Sequence, residues 1–197
     1  MKVLAFAGFL GSGKTTIIKQ CIDSMLKKGL KIAIVENEIG ATSIDDKVLE
    51  EGGIEMTTLT GGCVCCSISG SLLTAATIIE KEIAPDWLIV ELTGLAYMSG
   101  IRDLFKEHGD HFKLYSVSVV DIARWFKLLK ISRPLLTDQV EGADVIIINK
   151  IDIAEPTQEQ MEEISVISGG SPVIKACAQN NGAGLWDDIS VLLEQKG

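Results

Sequence analysis

Gly8-Phe9-Leu10-Gly11-Ser12-Gly13-Lys14-Thr15 brings together the groups that hold a chain of phosphates. Glycines let consecutive backbone N–H groups turn toward one anion, and a helix starting at their end adds partial positive charge. Lys14 is expected to reach the β and γ phosphates, and the Thr15 hydroxyl to ligate Mg2+, as in a Walker A loop. An ordinary glycine turn would not require Lys and Thr at the helix start. The phosphate-binding set is therefore Gly8, Gly11, Ser12, Gly13, Lys14, Thr15 and Thr16.

Magnesium held by a hydroxyl and phosphates still needs carboxylate support, directly or through water. Glu91 ends an apolar strand, where a carboxylate needs a partner. Leu92-Thr93-Gly94 follows it, so the Gly94 N–H is a candidate γ-phosphate donor. Glu38, within Glu36-Asn37-Glu38-Ile39-Gly40, is a candidate first-switch carboxylate, although a solvated loop acid reads the same way. Lys14, Glu38 and Glu91 are the candidate catalytic residues, with Thr15, Glu38 and Glu91 as candidate magnesium ligands.

Further along, Asn149-Lys150-Ile151-Asp152 follows the β-branched run Val145 to Ile148. A carboxylate only accepts hydrogen bonds, so Asp152 can take both the N1–H and the N2 amino group of guanine, whereas adenine presents a lone pair at N1. Asn149 can bridge the base and neighbouring loops, and the Lys150 stem can lie across the purine face. Ala176-Cys177-Ala178 comes at the end of the last strand, where a backbone N–H can meet guanine O6, though Cys177 reads equally as a buried thiol. These features favour GTP and GDP over adenine nucleotides.

Gly61-Gly62-Cys63-Val64-Cys65-Cys66 carries three thiols within four positions. Thiolates are soft ligands suited to Zn2+ and related ions, and adjacent glycines let backbone wrap around a metal. Three ligands leave tetrahedral zinc one short, with water, a partner's ligand or Glu38 as the fourth, and an open site suits transfer better than structural support. The competing readings are a redox pair at Cys65 and Cys66, or inert thiols. Adjacent cysteines form strained disulfides, and inert cysteines have no reason to crowd a glycine turn.

The elements that must position these groups alternate between short β-rich runs and helical patterns, the signature of βαβ units. Strands are expected at Val3 to Ala7, Lys31 to Val35, Met56 to Leu59, Trp87 to Leu92, Leu114 to Val120, Val145 to Ile148 and Val173 to Ala176. Helices are expected at Thr15 to Lys28, Ser69 to Lys81, Ser99 to Glu107, Asp121 to Lys130, Thr157 to Ile167 and Leu185 to Glu194. This is an α/β P-loop NTPase pattern: a mainly parallel sheet of about seven strands with helices on both faces. Each motif begins where a strand ends, the edge at which such sheets bind ligands.

At 197 residues, 47% apolar and 23% charged, the chain is expected to form one compact domain over residues 1–197. Its 27 acidic against 18 basic residues leave a net charge of −9, which opposes binding to nucleic acid or an anionic membrane. The apolar run at Val3 is too short for a signal peptide or span, so a cytoplasmic location is expected. Five cysteines, an odd count, argue for free thiols or metal ligands rather than a disulfide framework. His108 and His111 read as a solvated helix end. Arg102, Arg124 and Arg133 lie outside recognised loops, so no phosphate-stabilising arginine is named.

Gly8 to Thr15, Glu36 to Gly40, Gly62 to Cys66, Glu91 to Gly94, Asp121, Gln139, Ala143-Asp144 and Asn149 to Asp152 together resemble the CobW family of metal-associated GTPases, relatives of HypB and UreG. The resemblance covers essentially the whole chain as a short form without the family's usual C-terminal domain. It departs at Leu92, where the family more often has Ser or Thr after the Glu. It implies a magnesium-dependent GTPase that binds zinc first, with cobalt or nickel as alternatives, for a client metalloprotein or cofactor-assembly protein. A nucleotide- or metal-dependent homodimer is a candidate assembly. The alternative is a metal- and nucleotide-sensing regulatory module with little turnover, while a P-loop kinase is disfavoured by Asn149 to Asp152.

Overall fold

The computed structural model describes residues 1–36, 55–58, 68–107, 111–177 and 184–195. Along these run β1 (Lys2–Ala7), α1 (Lys14–Lys27), β2 (Ile32–Glu36), β3 (Glu55–Thr58), α2 (Ile68–Glu82), β4 (Trp87–Glu91), α3 (Met98–Glu107) and β5 (Lys113–Asp121). A short 3-10 turn at Ile122–Arg124 leads into α4 (Trp125–Val140), followed by β6 (Val145–Asn149), α5 (Gln158–Ser168), β7 (Val173–Lys175) and α6 (Leu185–Glu194). The described strands form one sheet of seven, in the order β3-β2-β4-β1-β5-β6-β7. Every pairing is parallel.

A parallel sheet covered on both faces needs apolar residues on both sides of each strand, hence the unbroken run Val3-Leu4-Ala5-Phe6-Ala7. Leu4 and Phe6 pack with Ile17, Ile18, Cys21 and Met25 of α1 and Trp186 and Ile189 of α6. Val3 and Ala5 face Ala76 and Ile79 of α2 and Met98 and Ile101 of α3. Trp125 and Leu128 of α4 and Ile164 of α5 extend this second layer over Ile146 and Ile148. The two-faced arrangement expected from the alternating pattern is present.

Local signals fix several boundaries. Gly29, at φ +74°, ends α1, with Gly29 N–H donating to Leu26 O and Leu30 N–H to Met25 O. Thr157 and Gln160 exchange side-chain and backbone hydrogen bonds in a capping box that starts α5. Asp138 on α4 accepts from the N–H groups of Met98 and Ser99, so α3 is capped by another helix rather than by its own sequence.

The helix expected over Asp121 to Lys130 is displaced. Asp121 is still strand, paired in register with Asn149, and the helix runs on through Pro134 to Val140. Pro134 lacks the N–H that would close on the fourth residue back, and non-helical Ser132 (φ −150°, ψ 61°) absorbs the break as a kink. No helix among the described residues is long and apolar enough to cross a membrane.

A candidate nucleotide site

The loop between β1 and α1 depends on backbone that only glycine adopts without strain. Gly8 has φ +145°, and a Cβ there would lie 2.4 Å from the Val119 carbonyl oxygen of β5. Gly13, at φ +99°, immediately precedes α1, so the helix N-terminus faces the loop. Ser12 is buried, and its carbonyl accepts from Asn149 Nδ2 at 2.7 Å. Asn149 at the tip of β6 therefore fastens the loop after β1 to the candidate base-recognition segment.

Lys14 folds across the loop and donates to the Gly8 carbonyl at 2.9 Å. Burial lowers its pKa, and the nearby Glu91 carboxylate opposes that shift. Parallel pairing of β1 with β4 sets Phe6 beside Glu91. There Thr15 Oγ1 donates to Glu91 Oε1 at 2.8 Å. The two groups expected to share a cation, 76 positions apart, thus meet at bonding distance.

Lys14, Thr15, Thr16, Glu91 and Gly94 border one cavity of about 280 Å3. Its far wall, the segment after β4, touches the phosphate loop: a Cβ on Gly94 would lie 2.4 Å from the Leu10 nitrogen and 2.6 Å from its Cα. Both are backbone atoms and neither can swing aside. Gly94→Ala is expected to force the two loops apart and destabilise the protein by roughly 1–3 kcal/mol, as overpacking does. A denaturant midpoint equal to wild type would contradict this contact.

At the other end, Lys150 holds a left-handed backbone (φ +65°), and its carbonyl accepts from Ile153 and Ala154 N–H, closing the turn that carries the exposed Asp152. Lys150 Nζ donates to Asp121 Oδ2 at 2.6 Å, as does Arg124 Nε at 2.6 Å. Arg124 also donates to the Leu10 carbonyl at 3.1 Å, which brings an arginine to the rim of the phosphate loop. Arg133 instead pairs with Glu163, and the Arg102 guanidinium lies against Gly142. Ala176 is buried and its N–H donates to Ile148 O, so Ala176 itself has no amide to offer guanine O6. Cys177 is a buried free thiol.

Asp121, Arg124 and Gln139 complete the arrangement. Gln139 on α4 donates through Nε2 to the carbonyls of Gly94 at 3.2 Å and Ala96 at 2.9 Å, gripping the loop after β4. The rule that singled out Glu91, a carboxylate closing a buried strand, also applies to Asp121. Arg124 and Gln139 carried no such local signal.

Glu38, Cys63, Cys65 and Cys66 lie outside the described residues, as does His108. Among the described residues no three His, Cys, Asp or Glu side chains gather as a metal site. Their flanking strands are described: β2 lies between β3 and β4, with Glu36 in register with both Thr58 and Glu91. The segments carrying Glu38 and the three cysteines therefore begin or end at neighbouring positions on the edge that holds Glu91.

Residues 2–175 match the family described as CobW/HypB/UreG, nucleotide-binding domain. The chain is 31% identical over 180 residues to the zinc chaperone YjiA of Escherichia coli, covering 87% of this chain and 56% of that protein. It is 29% identical over 204 residues to zinc-regulated GTPase metalloprotein activator 1 of Dictyostelium discoideum, covering 83% of this chain and 42% of that protein. Among solved structures, zinc-bound YjiA GTPase from E. coli superposes with TM-score 0.68 at 25% identity, over 94% of this chain and 59% of that one. The hydrogenase maturation factor HypB of Archaeoglobus fulgidus superposes with TM-score 0.71 at 19% identity, over 100% of this chain and 91% of that one, a likeness of fold. The chain spans about half the length of the curated relatives it matches.

Proposed function

Because the chain belongs to the CobW/HypB/UreG nucleotide-binding family, we propose that it is a GTP-binding and GTP-hydrolysing metallochaperone that carries a transition metal on Cys63, Cys65 and Cys66 to a client metalloprotein or cofactor-assembly protein. The observation that carries this reading is the direct meeting of Thr15 and Glu91 at the phosphate loop, on the edge where β2, β3 and β4 end side by side.

Lys14 would exchange the Gly8 carbonyl for the β and γ phosphates, gaining a charged partner for a lysine now held by a neutral one. Thr15 and Glu91 suit Mg2+, since a hydroxyl and a carboxylate are hard oxygen donors and already converge. Bound there, Mg2+ would neutralise charge on the β and γ phosphate oxygens. Glu38, two positions after the last residue of β2, is the remaining candidate carboxylate. The Gly94 amide would meet the γ phosphate and report its presence to α4 through Gln139. Hydrolysis is expected to be slow without a partner, because Arg124 is engaged with Asp121 and the Leu10 carbonyl rather than pointing at the phosphates.

Zinc is the first candidate cargo, since the curated relatives named above are a zinc chaperone and a zinc-regulated GTPase, and cobalt or nickel remain candidates for thiolate ligands. Cys21 is fully buried among the apolar side chains of the core, which pushes its thiol up to about pKa 12, and it serves as an internal control. The test is zinc titration of reduced protein with GDP and with a non-hydrolysable GTP analogue. About one ion per chain, or one per dimer, is expected. Serine at position 63, 65 or 66 should weaken binding sharply, whereas Cys21→Ser should not. Zinc affinity should differ between nucleotide states and nucleotide affinity should shift by the same factor. Identical zinc affinity in both states would refute nucleotide-gated delivery.

A further inference from the structure

Beneath the phosphate loop, Gly8, Phe9, Ser118, Asp121, Trp125 and Gln139 border a small internal space of about 10 Å3. Four of these residues carry a buried polar atom with no hydrogen-bond partner in the protein: Ser118 Oγ, Asp121 Oδ1, Trp125 Nε1 and Gln139 Oε1. Each residue is at most 2% exposed, so bulk water does not serve these atoms.

Their chemistry is complementary. Trp125 Nε1 only donates and a carboxylate oxygen only accepts. Gln139 Nε2 is committed to the Gly94 and Ala96 carbonyls, which fixes the amide orientation and leaves Oε1 as an acceptor. The Ser118 hydroxyl supplies the second donor. Two donors and two acceptors are the four partners of one water, and the space is near the roughly 10–15 Å3 that one water requires. A bare cation fits poorly beside an indole N–H, which can only donate.

We propose that this space is a specific site for a single buried water, and that the water joins the two ends of the nucleotide site. It would accept from Trp125 and Ser118 and donate to Asp121 and Gln139. Asp121 holds Lys150 of the base-recognition turn through its other oxygen, and Gln139 holds the Gly94 loop through its other end. Trp125 and Gln139 then act as positioning residues for a γ-phosphate contact made by Gly94, a role that rests on the GTP-binding reading above.

A crystal structure of the full chain with GDP, at a resolution that shows ordered waters, should place one water within hydrogen-bond reach of at least three of the four atoms. In solution the Trp125 indole N–H should show cross-relaxation of the sign that marks a long-lived water. A dry space, or the four side chains bonded directly to one another, would overturn the site. Trp125→Phe keeps a ring and removes a donor, and Ser118→Ala removes the other donor with a smaller change. Either should lower affinity for the GTP analogue relative to GDP by about two- to tenfold, the worth of one hydrogen bond. An unchanged ratio in both variants would overturn the link but not the site. A chain that holds the water yet binds no guanine nucleotide would overturn the functional reading, and the link with it, but not the site.

Discussion

Replacing Lys14 with alanine is expected to abolish tight binding of GTP and GDP while making the nucleotide-free protein more stable. The ammonium is buried against the Gly8 carbonyl, a neutral partner, and its pKa is lowered chiefly by that burial. A lysine whose folded pKa lies below the unfolded value destabilises the fold while protonated. That penalty is full below the folded pKa and disappears as pH rises from there to the unfolded value. Phosphates reverse the balance: two charge-assisted hydrogen bonds at about 1.5–3 kcal/mol each correspond to a loss of roughly a hundredfold or more in affinity on truncation. Calorimetric titration and thermal unfolding on the same preparations check both halves. A variant that loses nucleotide and also unfolds at lower temperature would show that Lys14 supports the fold as well as the ligand. Thr15→Ala should act differently, removing the dependence of affinity on magnesium, because its hydroxyl meets Glu91 rather than the loop carbonyls.

Asp152→Asn should weaken guanine nucleotides and admit xanthine nucleotides. The carboxylate would accept from two guanine donors, N1–H and the N2 amino group, and adenine offers a lone pair where the first donor should be. Two such bonds predict a preference for GTP over ATP of roughly a hundredfold to ten-thousandfold. Asparagine turns one acceptor into a donor, which complements the oxygen that xanthine carries at position 2. Asp152 is exposed on a turn closed by the Lys150 carbonyl, so the exchange should move stability by no more than about 0.5 kcal/mol. Competition binding with GTP, ATP and xanthosine triphosphate reads the result, and equal wild-type affinity for GTP and ATP would remove the guanine assignment.

The sequence by itself determined which elements form and which short runs are candidates for ligand binding. The run Val3 to Ala7 is apolar at every position because both faces of β1 are covered, and the glycines around Lys14 are needed for a positive-φ turn that no other residue makes freely. Thr157 with Gln160, and Gly29 after α1, mark helix ends by bonds spanning only a few residues. Such signals are local, so periodicity and spacing expose them. The joining of distant segments was decided only by the tertiary structure. Asp121 reads equally as a strand end or a helix start, and its strand state is decided by pairing with Asn149, while nothing near Arg124 points to Leu10, 114 positions away. Gln139 reaches Gly94 across 45 positions, and Pro134 sits inside a helix because a kink at Ser132 accommodates it. Motif recognition named candidate phosphate, magnesium and guanine contacts because each lies in a short run beginning at a strand end. The side chains that tie those runs together come from the body of the sheet and from α4, and their partners are set by sheet order and helix packing, which no short stretch of sequence contains.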